Sequence, residues 1–269
     1  MQKRKISIID DGRDGAEEIR IALAARFTEE DFETLDDSVE DAELVVVIGG
    51  DGTFLRTLAR FDFPDVPFVG INTGHLGFFQ ELDAADADQF VFRYMQGDFS
   101  EQRYRTVEAE IEFGDESAKI RGLNEIVVRG EGTSLSHLDI YIGDRLIEKF
   151  SGDGVVVSTP AGSTAYNYSL GGSIVDPSLD LLQLTPMAPV NSTAYRSFTS
   201  GIVLPPGLPI EVYPDAESRA GVFVSVDGVE THAPNLRRVG IRLSGRTVTL
   251  LRFKNYEFWN TVKKKLLMP

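Results

Sequence analysis

The 269-residue chain contains no cysteine, which excludes disulfides, thiolate metal ligands and a cysteine nucleophile. Histidine is nearly as scarce. His75, His137 and His232 lie far apart and show no metal-ligand spacing such as HExxH, so no zinc centre is expected. Positive charge is short, with 27 Lys and Arg against 42 Asp and Glu and a net charge of −15. A surface that acidic disfavours non-specific contact with nucleic acid or an anionic membrane, and neither is expected as a partner. No apolar run approaches the roughly twenty residues that span a bilayer. The N-terminus is basic, but its apolar part is too short for a signal-peptide core, so a cytoplasmic protein is expected. Two phosphate-binding patterns are missing as well: GxGxxG does not follow the first strand, and GxxxxGK[ST] is absent. An ordinary dinucleotide-binding dehydrogenase and a P-loop kinase are thereby disfavoured.

The first part of the chain alternates strands and helices. Lys5–Ile9 reads as a strand ended by Asp10-Asp11-Gly12. Asp14 with Glu17 resembles a capping box, and Ile19, Leu23 and Phe27 at spacing four lay one apolar stripe against a sheet. From Thr28 to Asp41 eight of fourteen residues are acidic, which suits a solvated connection carrying a short strand. Val45-Val46-Val47-Ile48 then reads as a strand buried on both faces. It runs into Gly49-Gly50-Asp51-Gly52-Thr53 and a helix with Phe54, Leu55 and Leu58 on one face. A buried strand, a glycine turn and a helix start place backbone N–H groups where an anion can sit. Asp51 is unusual there, because a carboxylate repels phosphate. Two readings stand: Asp51 caps the helix, or it takes a proton from a hydroxyl (or holds a metal) beside a phosphate chain. A further strand, Pro67–Ile71, leads into Asn72-Thr73-Gly74-His75-Leu76-Gly77-Phe78-Phe79, where at least one Phe is expected in the core. Both glycine loops follow strands, so they belong to the carboxyl edge of a doubly wound parallel sheet.

A helical segment to about Met95 closes the first region at Gln96-Gly97-Asp98, and from Tyr104 onward the period changes. Val107 to Phe113 alternates apolar and acidic residues, the mark of a half-buried antiparallel strand. Further strands are expected at 119–129, 136–142, 146–149, 155–158, 202–204, 209–213, 222–226, 238–243 and 247–253, with turns such as Gly143-Asp144 and Ser244-Gly245. Tyr256 to Leu267 reads as a final helix whose Lys263-Lys264-Lys265 suits a helix C-terminus. The expected fold is a Rossmann-like α/β N-terminal domain (1–100, completed by 254–269) and a β-rich C-terminal domain (101–253).

Ser151 to Gly172 is dense in Gly, Ser and Thr, yet it holds the Val155–Val157 strand and two tyrosines, unlike a flexible linker. Together with Gly49–Thr53, Gly70–Phe78 and Asn124-Glu125, this run resembles the ATP-dependent NAD kinases, in particular their Gram-positive bacterial branch. The glycine turn alone is shared with lipid and sugar kinases; Asp153–Gly172 is specific to the NAD kinases. The resemblance implies phosphoryl transfer from ATP to the 2′-hydroxyl of the adenosine ribose of NAD, giving NADP and ADP. It implies Asp51 as general base, and Gly49, Gly50, Gly52 and Thr53 around the ATP phosphates with a divalent cation, Mg²⁺. It implies NAD contacts at Phe78, Asn124, Glu125, Asp153, Ala161, Thr164, Ala165, Tyr166, Ser169 and Ala188. Asp227-Gly228 matches a family turn near the site, whereas Ala161 stands where members often carry Ser or another small polar residue. The C-terminal helix is expected to return to the first domain, and a homodimer or homotetramer with shared sites is expected. The alternatives are a lipid or diacylglycerol-type kinase using the same turn and a non-catalytic NAD(P)-binding regulator.

Overall fold

The computed structural model describes residues 3–13, 15–74, 77–131, 135–191, 196–215, 221–253 and 256–268. Asp14 of the expected capping box and His75 of the second glycine loop lie outside the described residues. The chain forms two compact units, Met1–Arg103 with Thr247–Pro269, and Tyr104–Arg246.

The first unit contains β1 (Lys5–Asp10), α1 (Ala16–Glu29), β2 (Glu33–Asp36), β3 (Leu44–Ile48), α2 (Asp51–Arg60), β4 (Phe68–Asn72), β5 (Gln80–Asp83) and α3 (Ala87–Gln96). The strands lie in the order β2-β1-β3-β4-β5 and all pair in parallel. Every residue of β3 and β4 is buried, as continuous apolar runs covered on both faces must be. Ile6, Ile8, Leu44, Val46 and Ile48 share one core with Leu23 and Phe27 of α1 and Phe90 and Tyr94 of α3. Phe54 of α2 packs edge-on against Phe68 at 5.6 Å. Parallel pairing of Ile48 with Ile71 brings the loops after β3 and β4 to the same carboxyl edge.

The second unit is β-rich. It is entered within β6 (Phe99–Phe113), which pairs with β7 (Glu116–Gly122). There follow β8 (Glu125–Gly130), β9 (Ser136–Ile142), β10 (Arg145–Gly152), β11 (Gly154–Ser158), the four-residue α4 (Tyr166–Ser169), β12 (Leu182–Met187), β13 (Ile202–Leu204), β14 (Ile210–Pro214), β15 (Val222–Val226), β16 (Val229–Thr231) and β17 (Leu236–Phe253). One antiparallel sheet has the order β13-β12-β11-β8-β15-β16. Its Ile126, Val128, Val155, Val157 and Val224 meet Ile140, Val212, Val239 and Ile241 from the other strands in a single core.

Three strand expectations change. The expected strand 119–129 is two strands parted at Leu123-Asn124, whose N–H groups donate to Asp227 instead of continuing a ladder. The expected turn at Ser244-Gly245 is absent, and β17 runs straight through it. Arg105 donates to the Ser244 carbonyl at 2.9 Å and Thr106 to the Arg246 carbonyl at 3.1 Å, so edge contacts hold the dipeptide extended. β12 had no signal, because Gln183, Thr185 and Pro186 read as polar or strand-breaking although all six of its residues are buried. From Thr247, within β17, the chain belongs to the first unit again. There α5 (Phe258–Val262) and a wider π-type turn, Lys263–Leu267, form the C-terminal helix, and Phe253 packs on Phe90 at 5.5 Å.

Candidate active site

In the first unit β3 ends at Ile48 and α2 begins at Asp51, with Gly50 as the N-cap and no side chain capping the helix. Gly49 has φ 148°, and a Cβ there would stand 2.8 Å from Thr53 Oγ1, so the turn requires glycine. The first N–H groups of the ten-residue α2 and the positive end of its dipole are thus offered beside Gly50 and Gly52.

Asp51 is not the cap. Its Oδ1 accepts the Phe78 N–H at 2.9 Å and the Phe79 N–H at 3.1 Å. Its Oδ2 accepts the Phe78 N–H at 3.1 Å and the Lys265 ammonium at 3.3 Å. The loop after β4 therefore grips the carboxylate, and of the two sequence readings the cap is removed. A Cβ at Gly77 would collide with Asp51 Oδ1 and with Gln80 Oε1, so the loop can approach only because that residue is glycine. Phe79 is the core member of the pair, stacked on Phe54 at 5.1 Å, while Phe78 is half-buried with the Lys265 Nζ 4.5 Å from its ring centre. Gln80 is 2% exposed beside this carboxylate, and neither of its amide atoms has a hydrogen-bond partner among the described residues. Sequence reasoning missed both Lys265 and Gln80, for neither sits in a recognisable motif.

In the second unit Asn124 and Glu125 lead into β8, and the β15–β16 turn carries Asp227 at φ 47°. Asp227 accepts three backbone N–H groups, from Leu123 at 2.7 Å, Asn124 at 2.8 Å and Glu125 at 3.1 Å. Burial raises its pKa while those three donors pull it down. Glu125 has no such donors on its carboxyl among the described residues. Burial, and after it the Asp227 charge, pushes it up to about 8, so it is largely neutral at pH 7. Asn124 Oδ1 and Glu125 Oε2 are buried without a hydrogen-bond partner among the described residues, the condition of polar atoms placed for a ligand.

The Gly- and Ser-rich run is clamped onto the same spot. Thr159 N–H donates to the Asn124 carbonyl at 2.9 Å, and Thr159 Oγ1 to the Leu123 carbonyl at 2.6 Å. A Cβ on Gly162 would collide with the Asn124 backbone. Ala161 is buried, Thr164, Ala165 and Tyr166 are half-buried, and Ser169 is exposed. Behind them Asn167, fully buried, accepts from Thr185 Oγ1 at 2.6 Å and donates to the Ser163 and Ser173 carbonyls at 3.2 Å each, holding the run in shape. Asp153 and Ala188 are not at this end. Both are exposed at the opposite end of β11, where the Asp153 N–H donates to the Met187 carbonyl at 3.0 Å. Four strand residues, roughly 13 Å, separate that end from the pairing of Ser158 with Glu125.

No group of three or more His, Asp or Glu that could hold a metal occurs among the described residues. Near the glycine turn of the first unit stand two carboxylates, Asp51 and Asp11. Asp11 Oδ2 lies 3.6 Å from Arg13 Nε and has no hydrogen bond among the described residues. This sparse donor set fits a hard cation that arrives on phosphates and keeps most of its waters, and does not fit an all-protein cage. No helix among the described residues is long and apolar enough to cross a membrane.

Comparison with known proteins agrees along the chain. The family model described as the ATP-NAD kinase N-terminal domain matches residues 3–99, and that of the ATP-NAD kinase C-terminal domain matches residues 123–253. An NAD kinase of Finegoldia magna is 36% identical over 254 residues, covering 93% of both chains. NAD kinase 1 of Listeria innocua is 33% identical over 262 residues, covering 96% of this chain and 97% of that one. The fold is shared with a yeast NADH kinase solved with NADH, at TM-score 0.84 and 21% identity over 99% of this chain and 88% of that one. It is shared also with an NAD kinase from Archaeoglobus fulgidus solved with ATP, at TM-score 0.79 and 22% identity over 97% of each chain.

Proposed function

Since the chain belongs to the ATP-NAD kinase family, we propose that Asp51 is the general base of its reaction. That reaction is phosphoryl transfer from ATP to NAD, and the family's C-terminal domain match over 123–253 does not favour a lipid kinase using the same turn. The carrying observation is the grip on Asp51. A carboxylate held by two backbone N–H groups of another loop, and not by its own helix, is fixed in direction and offered to a substrate hydroxyl.

In this reading Asp51 draws the proton from the 2′-hydroxyl of the adenosine ribose. The oxygen bonds to the γ-phosphorus of ATP as the bond to the β-phosphate oxygen breaks, and ADP leaves. Gly49, Gly50, Gly52 and Thr53, with the α2 N-terminus, hold the phosphates. Asn124 and Glu125 take ribose hydroxyls of NAD through their unpartnered oxygens, Glu125 as a neutral acid able to donate. Thr164, Ala165 and Tyr166 contact the adenosine, with Ala161 and Ser169 at the edge of that surface and Phe78 flanking the adenine. Asp153 and Ala188, at the other end of β11, are assigned to the nicotinamide side, within a homodimer or homotetramer that shares its sites. Enzymes of this family generally need a divalent cation; Mg²⁺ is assigned here, neutralising phosphate charge when bound, with Asp11 and Asp51 the carboxylates nearest the turn. A cytoplasmic location is part of the same reading.

The test is NADP formation from NAD and Mg²⁺ with ATP or with polyphosphate, by the unmodified protein and by Asp51→Asn. NADP from the unmodified protein with ATP, and almost none from the variant, is expected. Equal NADP from both proteins would remove Asp51 from the mechanism.

A further inference from the structure

The grip on Asp51 has one member that does not belong to either glycine loop. Lys265 lies in the C-terminal helix, 214 positions from Asp51, and its Nζ stands 3.3 Å from Asp51 Oδ2. The ammonium is itself steadied, 4.5 Å from the Phe78 ring centre on the face of that ring. Phe78 in turn packs against Phe258 of α5 at 6.2 Å. One residue of the loop therefore supplies both a backbone donor to Asp51 and an aromatic face to Lys265, and the C-terminal helix meets it at two points. The backbone donors crowd Oδ1, whereas among the described residues Oδ2 has the longer Phe78 bond and Lys265.

We propose that Lys265 is a positioning residue for the base, which makes the last helix of the chain part of the catalytic machinery. The inference rests on the assignment of Asp51 as general base. The ammonium fixes the direction of Oδ2, and small misplacement of a reacting group is costly to rate. The pair is partly open to solvent, with side chains 26% and 31% exposed, so its contribution to stability is small. The contact thus matters for turnover far more than for folding.

The test uses the full chain with NAD, ATP and Mg²⁺. Lys265→Met is expected to lower kcat by about ten- to a hundredfold, with KM for NAD within about threefold and the melting temperature unchanged. Lys265→Arg keeps the charge and is expected to recover kcat to within about threefold of the unmodified protein. A Lys265→Met enzyme with normal kcat, beside an inactive Asp51→Asn, overturns the inference and leaves the base intact. Equal loss in the Met and Arg variants with a lowered melting temperature also overturns it, in favour of a purely structural contact. Failure of the unmodified protein to make NADP would instead overturn the kinase reading, and this inference with it.

Discussion

Replacing Glu125 by Gln removes a titration that the fold itself has displaced. The residue is 6% exposed, and burial, helped by the Asp227 carboxylate, raises it from 4.5 to about 8. Between those values the folded protein keeps a proton that the unfolded chain has released. The resulting stabilisation is complete below about pH 4.5 and is lost as the pH rises through about 8. At about 1.36 kcal/mol per pH unit that interval amounts to roughly 5 kcal/mol at most. Gln cannot ionise, so the variant lacks this slope. Urea unfolding followed by far-UV circular dichroism is expected to show the variant gaining about 4 kcal/mol relative to the unmodified protein between about pH 5 and pH 9. The Gln amide keeps a donor where the neutral carboxyl has its O–H, so KM for NAD at pH 7 is expected to change only a few-fold. Above pH 8 that KM is expected to climb in the unmodified protein alone. A stability difference independent of pH would refute the reasoning, because Glu125 would then be ionised in both states.

Asp51→Asn is expected to lower kcat by roughly two to four decades with NAD affinity nearly kept, measured by steady-state kinetics and by titration with NAD. Asn124→Ala removes a buried oxygen that has no partner among the described residues, so NAD affinity is expected to fall about tenfold with little loss of stability; an unchanged affinity by calorimetry would count against its ribose role. Gly162→Ala would press a methyl group into the Asn124 backbone. A loss of about 1–3 kcal/mol in urea unfolding, with weaker NAD binding, is expected, and an unperturbed variant would show that the clamp is loose.

The strand Leu44–Ile48 and the turn after it were legible because their signals are local. An apolar run has to be covered on both faces, and only glycine tolerates the backbone at Gly49. Alternation marked β6, and the family resemblance carried by the run 151–172 separated this chain from other kinases with the same turn. Strand β12 was illegible because its polar residues are buried by partners elsewhere: Gln183 donates to the Ser173 carbonyl and Thr185 to Asn167. Ser244-Gly245 resembled a turn because dipeptide chemistry does not reveal the edge contacts that keep it extended.

By itself, then, the sequence determined the two kinds of architecture and the family, and it singled out Asp51 as the carboxylate inside the glycine turn. Which way that carboxylate faces was decided by tertiary structure. Its donors lie 27, 28 and 214 positions away, at Phe78, Phe79 and Lys265. The same holds for Asp227, which closes on the Asn124 N–H across 103 positions, beside a Glu125 carboxyl that burial first, and the Asp227 charge second, pushes up to about 8. Periodicity records which face of an element is buried, because burial repeats along the chain. It carries no record of which remote polar group will satisfy a given carboxylate.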